Sequence, residues 1–236
     1  MNKSIAPVLQ LASKSPRRRQ ILASLGIRFD VVEVATDECQ LKGEAPSDLV
    51  LRLAAAKAEA TSYGSYVLGA DTVVVSGDRV FGKPKDAKEA VDMLLSLSGR
   101  RHTVFTGVAL KAPEGIRKLI SITDVEFREI GKDEAVCYWQ SGEPVDKAGA
   151  YGIQGLGGMF VKNIRGSYSG VMGLPVFETV ELLTLAGIEI FKKKTGRKNL
   201  KKKKFLLMLP RPKYARLSLR MAYYRKFILS ALHSVE

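Results

Sequence analysis

Histidine, cysteine and long apolar runs are scarce in this chain of 236 residues, and each shortage removes a class of chemistry. His102 and His233 are the only histidines, one in a strand pattern and the other near the C-terminus, so histidine triads and histidine zinc sites are poor candidates. Cys39 and Cys137 stand far apart and form no CxxC pair, which argues against a disulfide framework or a thiolate zinc site and fits a reducing compartment. No apolar run approaches the ~18 residues of a membrane span. The first seven residues carry no apolar core of the signal-peptide kind, so the expected location is cytoplasmic. There is no GxxxxGK[ST] phosphate loop, and GIQGLGG at 152–158 does not fit GxGxxG. Carboxylate, metal, lysine and arginine chemistry is what remains.

Acidic residues are missing from one region in particular. Residues 192–236 hold 15 of the 38 Lys and Arg but one of the 24 acidic residues, so residues 1–191 carry 23 of each sign. The net charge of +14 is therefore a tail property and says nothing about what the body binds. Within the tail, Leu217, Met221, Tyr224, Ile228 and Leu232 fall at helical spacing among Arg216, Arg220, Arg225 and Lys226. That is a basic amphipathic pattern of the kind that contacts nucleic acid or a membrane surface, unless the segment is a C-terminal extension with no selected role. Two parts are expected: a body over 1–191 and a basic extension over 192–236.

Residues 8–12 read as a short apolar strand running into a helix. Ser15 is a suitable N-cap, Pro16 suits the first helical position, Ile21, Leu22 and Leu25 share a face, and Gly26 stops the helix. Arg17, Arg18 and Arg19 crowd the first turn, where the helix dipole disfavours each cation by roughly 0.3–1 kcal/mol. Free N–H groups with guanidinium forks make a polyanion site, or else the arginines point into water. Further along, residues 28–34 alternate like a strand. A helix over DLVLRLAAAKAEA places Leu49, Leu53, Ala56 and Ala60 at helical spacing, with Lys57 beside that face. Residues 66–75 form a strand apolar on both sides, and 79–81 return as a hairpin. A helix over 86–97, a hairpin of two long strands over 102–112 and 116–130, a short helix over 132–140, an irregular glycine-rich stretch over 142–173 with a strand at 159–164, and a last helix over 176–186 complete the body. Helices interspersed with an antiparallel hairpin indicate an α/β fold with a mixed sheet.

Asp71 is the most informative residue, because an ionised carboxylate inside an apolar strand costs several kcal/mol without partners. It is paired, metal-bound, or at a strand end facing a cleft; a structural Asp capping a turn is the plain alternative. Asp37 and Glu38 on an early loop can bring a second carboxylate, a pair suited to Mg²⁺ or Mn²⁺ with phosphate oxygens. Lys83, between Gly82 and Pro84, and Lys57 read singly as surface cations; they gain meaning only if they converge with Arg17 and Arg18.

Five blocks stand in unbroken order: LASKSPRR at 11–18, GADT at 69–72, GKP at 82–84, LSGRRHTVFTGVAL at 97–110 and SGEPVDKAGAYGIQGLGG at 141–158. Together they resemble the Maf family of nucleoside triphosphate pyrophosphatases, also described as septum-formation inhibitors, over about residues 8–190. The resemblance implies a two-lobed mixed twisted sheet with flanking helices, similar to inosine triphosphate pyrophosphatases, with the site in the cleft between lobes. It implies hydrolysis of a nucleoside triphosphate to the monophosphate and pyrophosphate in a house-cleaning role, with a divalent cation, Mg²⁺ or Mn²⁺. By resemblance Asp71 is the proton acceptor and, with Lys83, the catalytic pair. Glu38 and Asp71 hold the metal, and Ser13, Arg17, Arg18, Lys57, Thr72 and Gln154 bind the substrate. Asp71 as tight metal ligand or as free base stays an open choice at this point. In the branch acting on 7-methyl-GTP, tryptophan follows the SP, glutamine replaces Thr72 and glutamate replaces Gln154. The residues present are those of the dTTP/UTP branch, and the amide of Gln154 both donates and accepts, as the imide edge of thymine or uracil requires. The expected partner is the nucleotide itself, with a homodimer and tail contact to nucleic acid or membrane left open. The competing class is a binding protein tethered by the tail and acting in septum formation.

Overall fold

The computed structural model describes residues 9–61 and 66–190; the basic tail and its amphipathic pattern lie outside the described residues. Seven strands form one mixed sheet: β1 (Leu9–Ala12), β2 (Phe29–Val32), β3 (Tyr66–Ser76), β4 (Arg79–Phe81), β5 (Arg101–Ala112), β6 (Gly115–Phe127) and β7 (Val161–Arg165). The order is β2-β1-β3-β5-β6-β7, with β4 paired to β3 off this path. β1 is parallel to both β2 and β3, and the rest are antiparallel. Among the described residues six helices flank the sheet: α1 (Pro16–Ser24), α2 (Pro46–Glu59), α3 (Ala87–Leu97), α4 (Lys132–Gln140), α5 (Tyr168–Met172) and α6 (Val176–Leu185). The fold is α/β with a mixed open sheet, as the alternation of elements indicates.

The local signals act as read. Ser15 caps α1, accepting from the Arg18 N–H, Pro16 opens the helix, and Gly26 leaves it at φ +70°. Asp86 caps α3 by accepting from the Glu89 N–H. The glycine-rich stretch resolves into three 3₁₀ turns, at Glu143–Asp146, Ala148–Ala150 and Leu156–Phe160, followed by β7, close to the strand expected over 159–164, and by the short helix α5, which the pattern did not separate.

β3 alternates between two environments. Val67, Gly69, Asp71 and Val73 face α2, while Leu68, Ala70, Thr72 and Val74 face the opposite side. That opposite side carries two separate cores. One gathers Leu9, Leu11, Ile21, Leu22, Leu68, Val108 and Leu182 beneath α1 and α6. The other gathers Val74, Leu94, Val104, Phe127, Tyr138 and Phe160 beneath α3 and α4. Met172 packs against both, and these are the two lobes.

The cleft between them follows from strand lengths. β1 pairs with β3 only as far as Ala12 opposite Gly69, and β4 begins only opposite Val74. Residues 70–73 of β3 therefore have a strand on the β5 side and none on the other among the described residues. The chain also leaves β1 for β2 on one side and returns through α2 to β3 on the other, so the crevice opens at a point where strand order reverses, beyond the C-terminal end of β1.

The expected buried stripe of α2 is rotated. Leu49, Val50, Leu53, Ala54, Lys57 and Ala58 are buried, whereas Ala56 is half-buried and Ala60 exposed. The cause lies in two glycines of the sheet. A Cβ at Gly69 would sit 2.2 Å from the Ala54 carbonyl oxygen and 2.8 Å from the Ala58 nitrogen, and one at Gly107 would sit 2.4 Å from the Val50 carbonyl oxygen. The helix backbone rests directly on β3 and β5, so the side of α2 holding Lys57 points at the strand. A Gly69→Ala substitution puts its methyl into helix backbone, which has no flexible end to yield. It is expected to lower the unfolding free energy by at least about 2 kcal/mol in urea titrations, while Gly77→Ala, in an open turn, costs less.

Candidate active site

All nine residues singled out from the sequence line one cleft of about 520 Å³: Ser13, Arg17, Arg18, Glu38, Lys57, Asp71, Thr72, Lys83 and Gln154. They come from β1 and its exit, α1, the 35–45 loop, α2, β3, the loop after β4 and the glycine-rich stretch. Asp37, the neighbouring loop carboxylate, is outside: it is exposed and accepts from the Cys39 N–H at 2.9 Å. Arg19 is exposed and lines nothing there.

Because the edge of β3 is open at 70–73, groups from both of its faces reach the same cleft. On the α2 face, the Lys57 ammonium is buried and donates to Asp71 Oδ1 at 2.6 Å and to Glu38 Oε1 at 2.5 Å. Lys57 is thus no surface cation. An amphipathic-helix reading misplaces it, since a buried ammonium is tolerable only with partners that its own sequence neighbours do not reveal. Lys83 Nζ lies 3.8 Å from Glu38 Oε2 and is exposed, as its loop suggests. Burial pushes the Glu38 carboxyl up, but the Lys57 hydrogen bond and charge, with Lys83 and Arg18 beyond, outweigh it and hold it below its ordinary value.

On the other face, Arg18 is spread over neutral oxygens. Its Nε donates to the Gly173 carbonyl at 2.7 Å, Nη1 to Ser13 Oγ at 3.3 Å and Nη2 to Thr72 Oγ1 at 3.3 Å. Thr106 Oγ1 donates to Thr72 Oγ1 at 3.1 Å from its register position on β5. Burial disfavours the charged guanidinium and pulls its pKa down, against the attraction of Asp71. A half-buried cation with no carboxylate hydrogen-bonded to it among the described residues is suited to an incoming anion. Arg17 by contrast reaches across the cleft to Asp146, with Nη1 at 2.9 Å from Oδ2 and Nη2 at 3.2 Å from the carbonyl oxygen. Burial raises the Asp146 carboxyl, but hydrogen bonds from Lys147 and Arg17 bring it below its ordinary value.

Among the cleft residues that escaped the sequence reading are Val145, Asp146, Lys147 and Tyr151. The block SGEPVDKAGAYGIQGLGG was singled out, yet within an irregular stretch no period says which side chains turn inward. Tyr151 is buried, and its hydroxyl meets His102 Nε2 at 2.9 Å, with Phe127 edge-on to both rings. The histidine is therefore a core group, as its strand position suggested.

Metal capacity can be read from the donor set. Among the described residues no three His, Cys, Asp or Glu converge. Two carboxylates do, and Lys57 engages only Oδ1 of Asp71 and Oε1 of Glu38. Asp71 Oδ2 and Glu38 Oε2 fit a hard divalent cation, which takes one or two carboxylates and completes its shell with phosphate oxygens and water. No described helix is long and apolar enough to cross a membrane.

His102 supplies a pH test of this core. Burial holds its pKa down at about 4, with Asp124 opposing, against 6.5 for a free imidazole. Between pH 6.5 and 4 the unfolded chain binds the extra proton, so stability falls with falling pH, by up to about 3 kcal/mol from this group. Urea midpoints at pH 7 and 4.5 are expected to differ less in a His102→Gln variant than in the parent, and equal pH slopes would refute the assignment.

Comparison with known proteins follows the same residues. Residues 8–186 match the family model described as Maf-like protein. The chain is 50% identical over 187 residues to a dTTP/UTP pyrophosphatase of Vibrio parahaemolyticus, covering 78% of this chain and 98% of the relative. It is 47% identical over 192 residues to one of Colwellia psychrerythraea, covering 78% and 91%. It is 50% identical over 190 residues to one of Anaeromyxobacter dehalogenans, covering 79% and 97%.

Proposed function

The chain belongs to the Maf-like family, and from that premise we propose that it hydrolyses dTTP and UTP to the monophosphate and pyrophosphate. The observation that carries this reading is the meeting, in one cleft, of a buried Lys57–Asp71 pair, joined by the exposed Glu38, with an Arg18 that among the described residues is hydrogen-bonded to no carboxylate. Relatives of about half identity that bear the name dTTP/UTP pyrophosphatase support the substrate class.

The triphosphate lies across the cleft, its charge met by Arg18, Arg17, Lys83 and the Arg17 N–H in the first turn of α1. Arg17 exchanges Asp146 for a phosphate oxygen when the substrate enters. Lys57, fixed between two carboxylates, holds Asp71 with Oδ1 engaged and Oδ2 turned to the work of catalysis. Asp71 orients the water and takes its proton as the new oxygen–phosphorus bond forms at the α-phosphorus. The bridging bond to the β-phosphate breaks, and pyrophosphate leaves with the electron pair. Glu38 would hold Mg²⁺ or Mn²⁺ through its free oxygen, with Asp71 joining as a ligand only in place of its role as base, and the cation would supply charge neutralisation at the phosphate oxygens. Gln154 reads the base by donating to a carbonyl and accepting from the imide N–H. Thr72 keeps Arg18 in place.

This chemistry belongs to residues 1–191, with 192–236 as an extension, so a 1–191 truncation is expected to hydrolyse dTTP at the full-length rate. Asp71→Asn keeps the shape of the side chain and removes the proton acceptor. It is expected to lower kcat by about 10³-fold and to lower the melting temperature as well, since Lys57 keeps only Glu38 as a charged partner; near-parental pyrophosphate release would reject the assignment. A panel of dTTP, UTP, CTP, GTP and 7-methyl-GTP tests the substrate class. Preference for 7-methyl-GTP would overturn the reading of Arg17, Thr72 and Gln154.

A further inference from the structure

Gln154 is exposed, and among the described residues its side chain has no hydrogen-bond partner. Its place at the cleft is therefore set by the backbone that carries it, the turn between Gly152 and Gly157. That turn is wrapped around one carboxylate. Glu143 Oε2 accepts from the Leu156 N–H at 2.8 Å, and Oε1 accepts from the Gly157 N–H at 3.0 Å and from the Tyr138 hydroxyl at 2.7 Å. The Tyr138 oxygen in turn accepts from the Gly152 N–H at 3.0 Å, so both ends of the turn are tied to the same pair. The approach is close enough to exclude side chains. A Cβ at Gly155 would lie 2.2 Å from Glu143 Oε2, and one at Gly152 would lie 2.7 Å from Lys147 Cε. Lys147 closes the arrangement from below by donating to the Glu143 carbonyl at 2.5 Å. Four of the five bonds named here are made by the Glu143 side chain or by the tyrosine bonded to it.

We infer that Glu143 is a positioning residue for substrate choice: its carboxylate, with Tyr138, fixes the 152–157 turn and so places the Gln154 amide for the base. This rests on the reading of Gln154 as the group that meets the base. The carboxylate has its oxygens spent on backbone N–H groups and a hydroxyl, and it lines no part of the cleft itself. Partial burial raises its pKa, yet the Gly157 N–H, the Tyr138 hydroxyl, the Leu156 N–H and the Lys147 charge outweigh that and keep it ionised. A neutral acid at 143 would have one acceptor fewer for three donors.

The test compares full-length Glu143→Ala, Tyr138→Phe, Gln154→Ala and the Glu143→Ala/Gln154→Ala double variant, with kcat and KM measured for dTTP and dCTP. Glu143→Ala is expected to raise KM for dTTP and to lower the dTTP:dCTP ratio of kcat/KM by about tenfold, with kcat falling less. Tyr138→Phe, which removes the hydroxyl and keeps the ring in the core, moves the ratio the same way by a smaller factor and serves if Glu143→Ala does not fold. The double variant discriminates no worse than Gln154→Ala alone, because both changes act through one amide. If Gln154→Ala loses discrimination while Glu143→Ala and Tyr138→Phe keep the parental ratio and lose kcat on both substrates equally, Glu143 is only structural and the inference fails. If Gln154→Ala itself keeps the parental ratio, the reading of Gln154 falls and the inference falls with it.

Discussion

The direct contact of the α2 backbone with two glycines of the sheet is the constraint on which the site depends. A long basic side chain is normally excluded from a helix–sheet interface, because desolvating its ammonium costs several kcal/mol. Here Gly69 and Gly107 let the helix settle onto β3 and β5, which brings Lys57 within hydrogen-bond distance of Asp71 and of Glu38 from the preceding loop. The cost of burying the ammonium is offset by two carboxylates, and that of burying Asp71 by the ammonium. Neither Lys57 nor Asp71 is tolerable there alone, so the buried pair is mutually dependent.

The open edge of β3 adds the second condition. A strand shows alternate residues to opposite faces, so Asp71 and Thr72 would be separated by the sheet if β1 continued alongside. Since β1 stops opposite Gly69 and β4 starts opposite Val74, the cluster under α2 and the Arg18–Thr72–Thr106 group meet in one cleft. The two arginines there are in different electrostatic states. Arg17 is paired with Asp146 across the lobes, and Arg18 is bonded only to neutral oxygens. A cation of the second kind gains most from an anionic ligand, because nothing has to be displaced before it binds.

The glycine-rich stretch is anchored in the core by Tyr151, Ile153 and Phe160, and its 152–157 turn is shaped by polar bonds. Its turns are held by one carboxylate, one tyrosine hydroxyl and one lysine, and its glycines mark where those groups come too close for a side chain. Such a segment keeps a defined shape without regular secondary structure, which suits a part of the chain that has to present single side chains to a ligand.

From the sequence by itself came the alternation of elements, the cap at Ser15, the neutral charge of residues 1–191 against a basic 192–236, and the five blocks, seven of whose residues now line one cleft with Glu38 and Lys57. These are short-range properties: caps, periodicity and motif spacing involve residues a few positions apart, and their physics is contained in the segment that carries them. Only the tertiary structure decided that Lys57 is buried, that the inward stripe of α2 is turned toward it, that Arg17 faces Asp146 and that the 152–157 turn closes on Glu143. Each of those depends on partners 14 to 129 positions away. Whether a charged side chain is exposed or buried is settled by the free energy of such a partner, and no local pattern contains it.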